Sequence, residues 1–498
     1  MSTVSIAAPA KSKGLDYRTV WRWHFYAAMF CVPFVLYLAF TGTLFLFHPQ
    51  MQQWLDRPYS HLSTVGPEAS VNDQVKAALA AEPGSNLHAY QLPLTPASPA
   101  EILVGQGLKE YRVYVNPRTL EVLKIYDEDM RLDHFTLRLH GEMLIGNTGS
   151  YIVELAASWT VIMILTGLYL WWPRTSEKFA GVLYPRLKQG QRIFWRDIHA
   201  VTGVYVSFFA LFLLFSGLPW AKSWGSYLKL ARRVGGQAMI SADWTTSSAE
   251  EKAIRASYNN DPDVPSHDSA STTTTGKGTG ATGTAGSMKG MDMSGGMDGM
   301  DMPSQYPRTA GKPASPNAYF AIDKMVATVA PLGLANPVLV SPPKKFGGNW
   351  TARSDALNRP LRVNLVLDGK TGAILQRVDF QSKNFIDRLV GIGIAAHEGA
   401  LFGWLNQLVS LFTAVSLTLL SVSGLIMWWR RRPEGVLGAP PVIRRMSFIA
   451  PLMAVVLFLS IYFPFLGGSM ILVALAEYLI LRRIPATRVW LGLSPHAS

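Results

Sequence analysis

Four histidines of this chain recur at matched spacings, and histidine in such a pattern indicates haem ligation. His24 and His199 each stand 18 residues before a glycine, and His140 and His397 each stand 27 residues before one. The glycines, in the same order, are Gly42, Gly217, Gly167 and Gly424. A b-type haem in a membrane takes two neutral imidazoles from different helices at one depth. The four histidines therefore predict two b-type haems.

The elements that must position these histidines are long apolar segments, so we predict a mainly α membrane protein. Of the 498 residues, 49% are hydrophobic and 16% are charged, whereas a soluble domain has about 25% charged residues. The net charge of +13 comes from Lys and Arg beside the apolar runs, as in cytoplasmic loops. We therefore expect a lipid bilayer, and no nucleic acid, as partner. The first run lacks a small-residue cleavage site, which predicts a retained signal anchor.

The single cysteine, Cys31, excludes several cofactor classes. Within one chain it cannot supply a disulfide framework, a Cys-ligated iron–sulfur cluster or a Cys-type zinc site. The sequence has no CxxCH motif, which excludes covalent c-type haem. The segment 278–283 matches GxGxxG, but it has no preceding strand or following helix and is rejected as a nucleotide site. The sequence has no other nicotinamide or flavin signature, so the electron donor to the haems is expected to be a membrane quinol or a separate reductase.

The apolar runs and basic clusters alternate, which predicts about six transmembrane helices with both termini in the cytoplasm. The predicted segments are an N-terminus at 1–20, a helix at 21–47, an outside domain at 48–139, a histidine segment and helix at 140–173, an inside loop at 174–194, a helix at 195–220, an outside domain at 221–396, a histidine segment and helix at 397–430, an inside loop at 431–446, a helical hairpin at 447–483 and a tail at 484–498. Gly467 and Gly468 are predicted to form the hairpin tip.

Both outside regions contain a strand–turn–strand pattern, which predicts a small α+β domain in each. The pattern covers 111–115, 116–119 and 120–125 in the first region, and 362–367, 368–372 and 373–378 in the second. Because soluble regions and helices repeat together, we predict a duplicated arrangement of the whole framework. Residues 245–312 are rich in Ser, Thr, Gly, Asp and Met and are predicted to be disordered.

The predicted topology divides the histidines into two pairs at opposite membrane faces. His24 and His199 begin outward-going helices and are predicted to bind an inner haem. His140 and His397 precede inward-going helices and are predicted to bind an outer haem. His134 is an alternative to His140, but it has no counterpart in the second repeat.

Residues beside the four histidines are predicted to support the haems. Arg22 and Arg196 are expected to pair with propionates of the inner haem, and Glu142 and Glu398 are expected to orient the outer imidazoles. Small residues are expected to admit a flat macrocycle against the helix backbones, namely Gly42, Gly167, Gly203, Gly217 and Gly424. Histidines without a repeat partner are expected at the surface, namely His48, His61, His88, His267 and His496.

Longer motifs surround these positions. They are Trp-Arg-Trp-His from 21, His-Gly-Glu from 140, Glu-Leu-Ala-Ala-Ser-Trp-Thr from 154, Phe-Trp-Arg-Asp-Ile-His from 194, Ile-Ala-Ala-His-Glu-Gly from 394 and two Trp-Trp segments at 171 and 428. Together they resemble the PepSY-associated transmembrane helix family, and the outside regions resemble its PepSY domains. The resemblance covers nearly the whole chain except 245–312.

The resemblance implies a function, because that family includes bacterial inner-membrane iron-uptake proteins and haem-containing ferric-siderophore reductases. It implies a dihaem b oxidoreductase of the bacterial inner membrane, with both termini cytoplasmic and two periplasmic PepSY-like α+β domains. Such a protein passes electrons to the periplasm and reduces a ferric siderophore for iron uptake. The four histidines are the matching positions.

A methionine cluster supports a different substrate. Six of the fifteen residues from 288 to 302 are methionine, and a thioether is a soft ligand that suits copper(I). These residues are Met288, Met291, Met293, Met297, Met300 and Met302. One alternative is therefore a haem-linked periplasmic copper-binding protein, a cupric reductase or a copper-tolerance factor. Another is a non-enzymatic PepSY membrane scaffold or sensor, which would contain no haem.

Overall fold

A computed structural model describes most of the chain. The described residues are 17–173, 179–234, 248–250, 252, 319–343, 347–440 and 450–493. The methionine cluster 288–302, nearly all of the predicted insert 245–312, and His267 and His496 lie outside these residues.

Five helices in the described part of the chain are long and apolar enough to cross a membrane. They are Tyr17–Leu46, Asn147–Trp171, Gln191–Trp220, Trp404–Arg431 and Pro464–Leu481. Their apolar side chains extend around most of the helix surface, as a helix surrounded by lipid requires. The prediction of a membrane protein with apolar spanning helices is confirmed.

The helices are numbered in chain order. They are α1 (Tyr17–Leu46), α2 (His48–Asp56), α3 (Val71–Ala81), α4 (Leu132–Glu142), α5 (Asn147–Trp171), α6 (Gln191–Gly217), α7 (Lys222–Val234), α8 (Ile322–Val329), α9 (Phe385–His397), α10 (Trp404–Arg431), α11 (Ala450–Tyr462), α12 (Pro464–Ala476) and α13 (Pro485–Leu491).

Four of the spanning helices form a bundle. Helix α1 packs against α5 and α10, and α6 packs against the same two helices, so α1 and α6 occupy opposite corners. Hydroxyl side chains are buried within the bundle, for example Ser158 and Thr413. Each donates a hydrogen bond to a carbonyl one turn earlier in its own helix, at 2.7 and 2.8 Å. These bonds satisfy the hydroxyl protons without a partner from lipid.

The predicted hairpin at the end of the chain has its break at a different residue. Gly467 and Gly468 lie inside α12, so their prediction as the hairpin tip was wrong. The break lies at Phe463, whose φ of −116° and ψ of 89° are not helical, and Pro464 begins α12. Proline suits the first turn of a helix because an N–H there has no intrahelical partner. The predicted fifth span begins within 441–449, which lie outside the described residues.

The strands form one antiparallel sheet. They are β1 (Asn86–Gln91), β2 (Ala100–Gln106), β3 (Lys109–Val115), β4 (Val122–Asp127), β5 (Val338–Ser341), β6 (Trp350–Ser354), β7 (Val363–Leu367) and β8 (Ile374–Asp379). Their order across the sheet is β4-β3-β2-β1-β5-β6-β7-β8. The two predicted strand–turn–strand units are β3–β4 and β7–β8, at the two edges of the sheet.

The sheet joins the two outside regions that the sequence predicts as two domains. Strands β1 and β5 pair in antiparallel register, with Tyr90 opposite Val340 and Gln91 opposite Leu339. Without this pairing, each strand would leave a row of backbone groups unpaired at a sheet edge. Leu87, Val340 and Leu365 belong to one hydrophobic core that spans both regions. The strands of the two predicted α+β regions thus form one continuous antiparallel sheet.

A short helix connects each edge of the sheet to the bundle. Helix α4 follows β4, and α9 follows β8, in each case after a 3₁₀ turn. Backbone breaks then separate each short helix from the spanning helix that follows. Met143 and Gly146 have positive φ before α5, and Gly403 has positive φ before α10. These breaks allow α4 and α9 to take their own direction above the bundle.

Candidate functional site

The four repeated histidines face one another in two pairs. The ring centroids of His24 and His199 are 6.4 Å apart, and those of His140 and His397 are also 6.4 Å apart. We call His140 and His397 the sheet-side pair, since α4 and α9 carry them at the end of the bundle beside the sheet. His24 and His199 are the far-side pair, carried by α1 and α6.

The two pairs lie at different depths of the bundle. His24 lies near the start of α1, and His140 contacts Gly42 near the end of the same helix. The 18 residues between His24 and Gly42 correspond to about 27 Å of helix. The hydrocarbon core of a bilayer is about 30 Å thick. One pair therefore lies close to each end of the membrane-spanning bundle.

Each imidazole is held at its Nδ1 atom by a hydroxyl from a neighbouring helix. The contacts join His24 to Thr166 at 3.2 Å, His199 to Ser423 at 3.1 Å, His140 to Thr41 at 3.0 Å and His397 to Ser216 at 3.0 Å. In the far-side pair, the Nδ1 atoms also lie 3.0 Å from the carbonyl oxygens of Met163 and Leu420.

These hydroxyls determine which nitrogen carries the proton. Thr41 donates its own proton to the carbonyl of Tyr37 at 2.9 Å, and Ser216 donates to Phe212 at 2.7 Å. Each hydroxyl oxygen is then left to accept a hydrogen bond from Nδ1–H of its histidine. The lone pair of each neutral ring therefore lies on Nε2, the atom available to a metal.

Each glycine of the repeat contacts a histidine other than the one from which its spacing is counted. A Cβ atom at each glycine would lie 3.1–3.3 Å from a histidine Cε1. The contacts are Gly42 with His140, Gly167 with His24, Gly217 with His397 and Gly424 with His199. Each glycine follows the hydroxyl residue that holds the same ring. Each of the four bundle helices thus supplies a hydroxyl and a glycine to a histidine of another helix.

This contact gives the glycines a more specific role than the one predicted from sequence. Four of the five small residues approach an imidazole, and a methyl group there would press on the ring. Gly203 differs, because a Cβ atom there would meet Leu420 at 3.4 Å.

Burial keeps the sheet-side pair neutral. Desolvation, together with the neighbouring His397, lowers the pKa of His140 to about 3. Desolvation lowers the pKa of His397 to about 4. At neutral pH both rings are uncharged and retain the Nε2 lone pair that ligation requires.

The donor set fits a haem. Two metal–imidazole bonds of about 2 Å, with about 1 Å from each nitrogen to its ring centre, place two ligand rings about 6 Å apart. Both observed separations are close to this value. No group of three or more His, Cys, Asp or Glu side chains among the described residues could hold a metal ion. Each pair offers two nitrogen donors, a number that suits a haem, whose macrocycle supplies further nitrogen ligands.

A sequence model of the family described as PepSY-associated TM region matches residues 21–431. The chain belongs to this family. The matched range contains both histidine pairs and the hydroxyl residues that hold them. None of the curated proteins compared with the chain matches it.

The arginines predicted beside the far-side pair of this PepSY-associated chain have other partners. Arg22 donates to the carbonyl oxygen of Pro440 at 2.7 Å and lies over the ring of Tyr26. Arg196 pairs with Asp197 at 2.6 Å. Both arginines lie within one turn of a far-side histidine in sequence, and these contacts orient their guanidinium groups.

The two glutamates predicted to orient the outer imidazoles contact other residues in the described contacts, and Thr41 and Ser216 hold those rings instead. Glu142 accepts hydrogen bonds from the backbone and hydroxyl of Ser248, at 2.7 and 2.6 Å. Glu398 lies 3.7 Å from the guanidinium of Arg359. Burial raises the pKa of Glu398, and this effect is opposed chiefly by Arg359.

The remaining histidines divide between buried and exposed positions. His134 lies 3.3 Å from Glu128, whereas His140 faces His397, so the structure favours His140 for the pair. His48 and His88 are buried, with 7% and 3% of their surface exposed, and their prediction as surface residues was wrong. His88 lies 2.6 Å from Glu110, which compensates its burial. His61 is exposed, as predicted.

The sequence patterns did not indicate Trp220, nor the Thr and Ser hydroxyls that contact the histidine Nδ1 atoms. The ring of Trp220 lies 5.8 Å from that of His397. A signal for the hydroxyls was present, since Thr or Ser precedes each of the four glycines. The repeat spacing identified the glycine but did not indicate which histidine the adjacent hydroxyl contacts.

Replacing Thr41 with valine is expected to weaken haem binding at the sheet-side pair by about 10- to 100-fold, because it removes the acceptor that orients His140. The measurement is haem release to apomyoglobin from the purified protein. Thr43→Val is the matched control, since Thr43 bonds only its own helix, at 2.8 Å to Ala39, in the described contacts. Equal haem release from the two variants would contradict the proposed role of Thr41.

Proposed function

We propose that this protein is a dihaem b oxidoreductase that carries electrons across a bacterial inner membrane and reduces a periplasmic ferric siderophore for iron uptake. The observation that carries this proposal is the presence of two half-buried histidine pairs, each with Nε2 available, near opposite ends of one bundle. A haem bound by each pair would supply one-electron redox chemistry at its iron. The Thr and Ser hydroxyls of the chain orient the four rings and leave their Nε2 atoms available for binding of the iron.

The distribution of charge supports the orientation. Basic residues concentrate at the end of the bundle away from the sheet, for example Arg192, Arg430 and Arg431. By the positive-inside rule, this end faces the cytoplasm and the sheet faces the periplasm. The far-side pair is then the inner pair, and His24 and His199 would hold a haem on the side of the electron donor, a membrane quinol or a separate reductase. The sheet-side pair is the outer pair, and His140 and His397 would hold the haem that supplies one electron for each ferric ion.

The matching spacings also support a duplicated arrangement of six spans. Elements β3, β4, α4 and α5 follow one another in the same order as β7, β8, α9 and α10. The sheet-side pair takes one ring from each set of elements, His140 from α4 and His397 from α9. The two halves of the sheet correspond to the two PepSY-like regions of the proposed arrangement.

The decisive experiment is an optical spectrum of the purified protein, oxidised and dithionite-reduced, with haem quantified per chain. Low-spin b-type haem is expected at about two per chain, one for each histidine pair. The reduced protein is then mixed with a ferric siderophore, and reoxidation of the haem bands is followed. Protein that lacks haem after expression with ample haem supply would leave the scaffold or sensor alternative.

The methionine cluster motivates a second candidate, a haem-linked copper protein or cupric reductase. We expect deletion of 288–302 to remove binding of copper(I) while leaving haem content unchanged, because thioethers suit copper(I) and the haem ligands lie elsewhere. Competition with a chromogenic copper(I) chelator measures the change, and deletion of 268–282 from the same segment is the length-matched control. Unchanged copper binding, or equal losses in both deletions, would exclude a specific copper role for these methionines.

A further inference from the structure

An open cavity of about 570 Å³ lies between the start of α6 and the end of α10. Its lining includes Gln191 and Trp195 from α6 and Leu425, Trp429 and Arg430 from α10. Gln191 is the first residue of α6, and Arg430 is the last but one of α10. The cavity therefore lies at the end of the bundle away from the sheet, which faces the cytoplasm in the proposed orientation.

Both walls of the cavity continue into the residues that hold His199. Trp195 stands four residues before His199 on α6, about 6 Å along the helix axis and on the same face. Leu425 follows Gly424, where a Cβ atom would lie 3.3 Å from Cε1 of His199. On the same helix, the hydroxyl of Ser423 lies 3.1 Å from Nδ1 of His199. A molecule bound in the cavity would therefore lie about one helical turn from a far-side imidazole.

The lining combines aromatic faces with hydrogen-bond donors. The indole N–H of Trp195 donates to Oε1 of Gln191 at 3.1 Å, and the same amide carries an NH₂ donor. Arg430 is exposed and adds a guanidinium group. Trp429 beside it has 65% of its surface exposed. An aromatic ring with oxygen atoms on its edge suits this lining, because its face packs on indole rings while its oxygens accept hydrogen bonds.

An exposed apolar face of α10 connects the cavity to the lipid. Val422 and Val415 stand seven and fourteen residues before Trp429, which places the three side chains on one face of the helix. Val422 is 39% exposed and Val415 is 59% exposed. Both lie within the membrane-spanning helix Trp404–Arg431. A ligand with its head in the cavity can therefore extend an apolar tail along this face into the bilayer.

The start of α1, which matches the start of α6 in the histidine repeat, is covered instead. Val20 occupies the position that matches Trp195, and only 3% of its surface is exposed. The hydroxyl of Tyr26 donates to the carbonyl oxygen of Leu491 at 2.5 Å, so α13 lies against the start of α1. The protein is thus symmetrical at the far-side histidines but not beside them, and the described cavity lies on the α6 side.

We propose that this cavity binds the head group of a membrane quinol, which serves as the electron donor at the far-side pair. The inference rests on the proposed function, which needs a donor at this end of the bundle. Trp195 and Trp429 would pack against the quinol ring, and Gln191 and Arg430 would donate hydrogen bonds to its oxygens. Oxidation of the quinol to the quinone releases two electrons and two protons. The electrons would leave one at a time toward the iron of the far-side pair, and the protons would pass to water at the cytoplasmic mouth of the cavity.

The test uses the full-length protein in lipid nanodiscs, with decylubiquinol and, in a parallel series, menadiol as reductant. Trp429→Leu removes an indole ring from the cavity and keeps an apolar side chain, and Arg430→Gln removes the charged donor. Trp172→Leu is the matched control, because Trp172 matches Trp429 in the repeat and has the same exposed fraction of 65%. Trp172 lies at the end of α5, outside the lining of the cavity.

Trp429→Leu and Arg430→Gln are each expected to raise the KM for the quinol about tenfold, since each removes a contact with the ring or its oxygens. The maximal rate should stay unchanged, because these contacts bind the donor and do not hold the iron. Stopped-flow reduction of the haem bands measures both parameters, and dithionite reduction measures haem content. Haem content should stay at the wild-type value in every variant, and Trp172→Leu should match the wild type throughout.

A second readout does not depend on haem. An azido-substituted ubiquinone with a short tail is photolysed with the protein, and the labelled peptides are mapped by mass spectrometry. Label is expected within 191–195 and 425–430, and an excess of decylubiquinone should suppress it. Trp429→Leu should lower this labelling and Trp172→Leu should not.

Several results would overturn the proposal. Equal effects of Trp429→Leu and Trp172→Leu, or label at other positions, would exclude this cavity as the quinol site. Loss of a haem in Trp429→Leu alone would assign the cavity to the edge of the macrocycle. Haem that dithionite reduces and neither quinol reduces would indicate a separate reductase and leave the proposed function standing. Protein without haem would overturn the proposed function and the donor role with it, so the two failures are distinguishable.

Discussion

Replacing His397 with alanine is expected to remove the haem of the sheet-side pair and to lower reduction of a ferric chelate by more than about 100-fold. Loss of a partner that only orients a ligand costs about 10- to 100-fold in metal affinity, and loss of the ligand itself should exceed this. The far-side haem should remain, because its ligands lie about 27 Å along the bundle. Haem content, the low-spin spectrum and trapping of iron(II) by a chromogenic chelator measure these effects.

The matched controls for His397→Ala are two other histidines of the same chain. His61 is exposed, and His134 lies beside Glu128 rather than His397. Both alanine variants should retain two haems and wild-type reduction of the chelate. If His134→Ala lost the sheet-side haem while His140→Ala kept it, the assignment of the pair would be wrong.

Replacing Gly149 with alanine is expected to destabilise the protein by about 3 kcal/mol or more and to release the sheet-side haem. A Cβ atom at Gly149 would lie 1.7 Å from the carbonyl oxygen of Glu142 and 2.4 Å from its carbonyl carbon. Both obstacles are backbone atoms, so a side-chain rotation cannot relieve the clash, and overpacking of this kind is strongly destabilising. Helix α4 would have to move, and it carries His140 two residues before Glu142.

Gly141→Ala provides the control for this substitution. Gly141 lies in α4 next to His140, yet a Cβ atom there meets nothing within 4 Å. Alanine also favours the helix by about 1 kcal/mol relative to glycine. Thermal unfolding and haem content should therefore stay at or above wild-type values in Gly141→Ala and fall in Gly149→Ala. Wild-type behaviour of Gly149→Ala would mean that α4 does not rest on the start of α5 as described.

Local sequence patterns predicted those helices and strands whose conformation depends mainly on their own residues. Apolar runs longer than the bilayer is thick predicted the spanning helices, because no soluble helix needs such a length of uninterrupted apolar surface. The alternation at 111–115 and 362–367 predicted strands of the observed sheet. Family membership could also be predicted, because its motifs are long and contiguous. Repeat spacing predicted which four histidines share an environment, and the structure places them in two facing pairs.

Contacts between distant segments could not be predicted in the same way. The pairing of β1 with β5 joins residues about 250 apart, and neither strand carries a local signal for its partner. The histidine contacts of Gly42 and Gly167 depend on α1 lying antiparallel to α5, which the spacing alone does not specify. Burial of His88 depends on Glu110 from another strand.

Each histidine pair takes one ring from the part of the chain before 174 and one from the part after 190. A ligand bound between two such rings acts as a cross-link, since it joins segments that are otherwise held by packing and by the β1–β5 pairing. Binding to the folded state alone adds about 2.7 kcal/mol of stability at a ligand concentration 100 times the Kd. Supply of the cofactor would then determine how long the protein survives proteolysis in its membrane, as well as whether it can function.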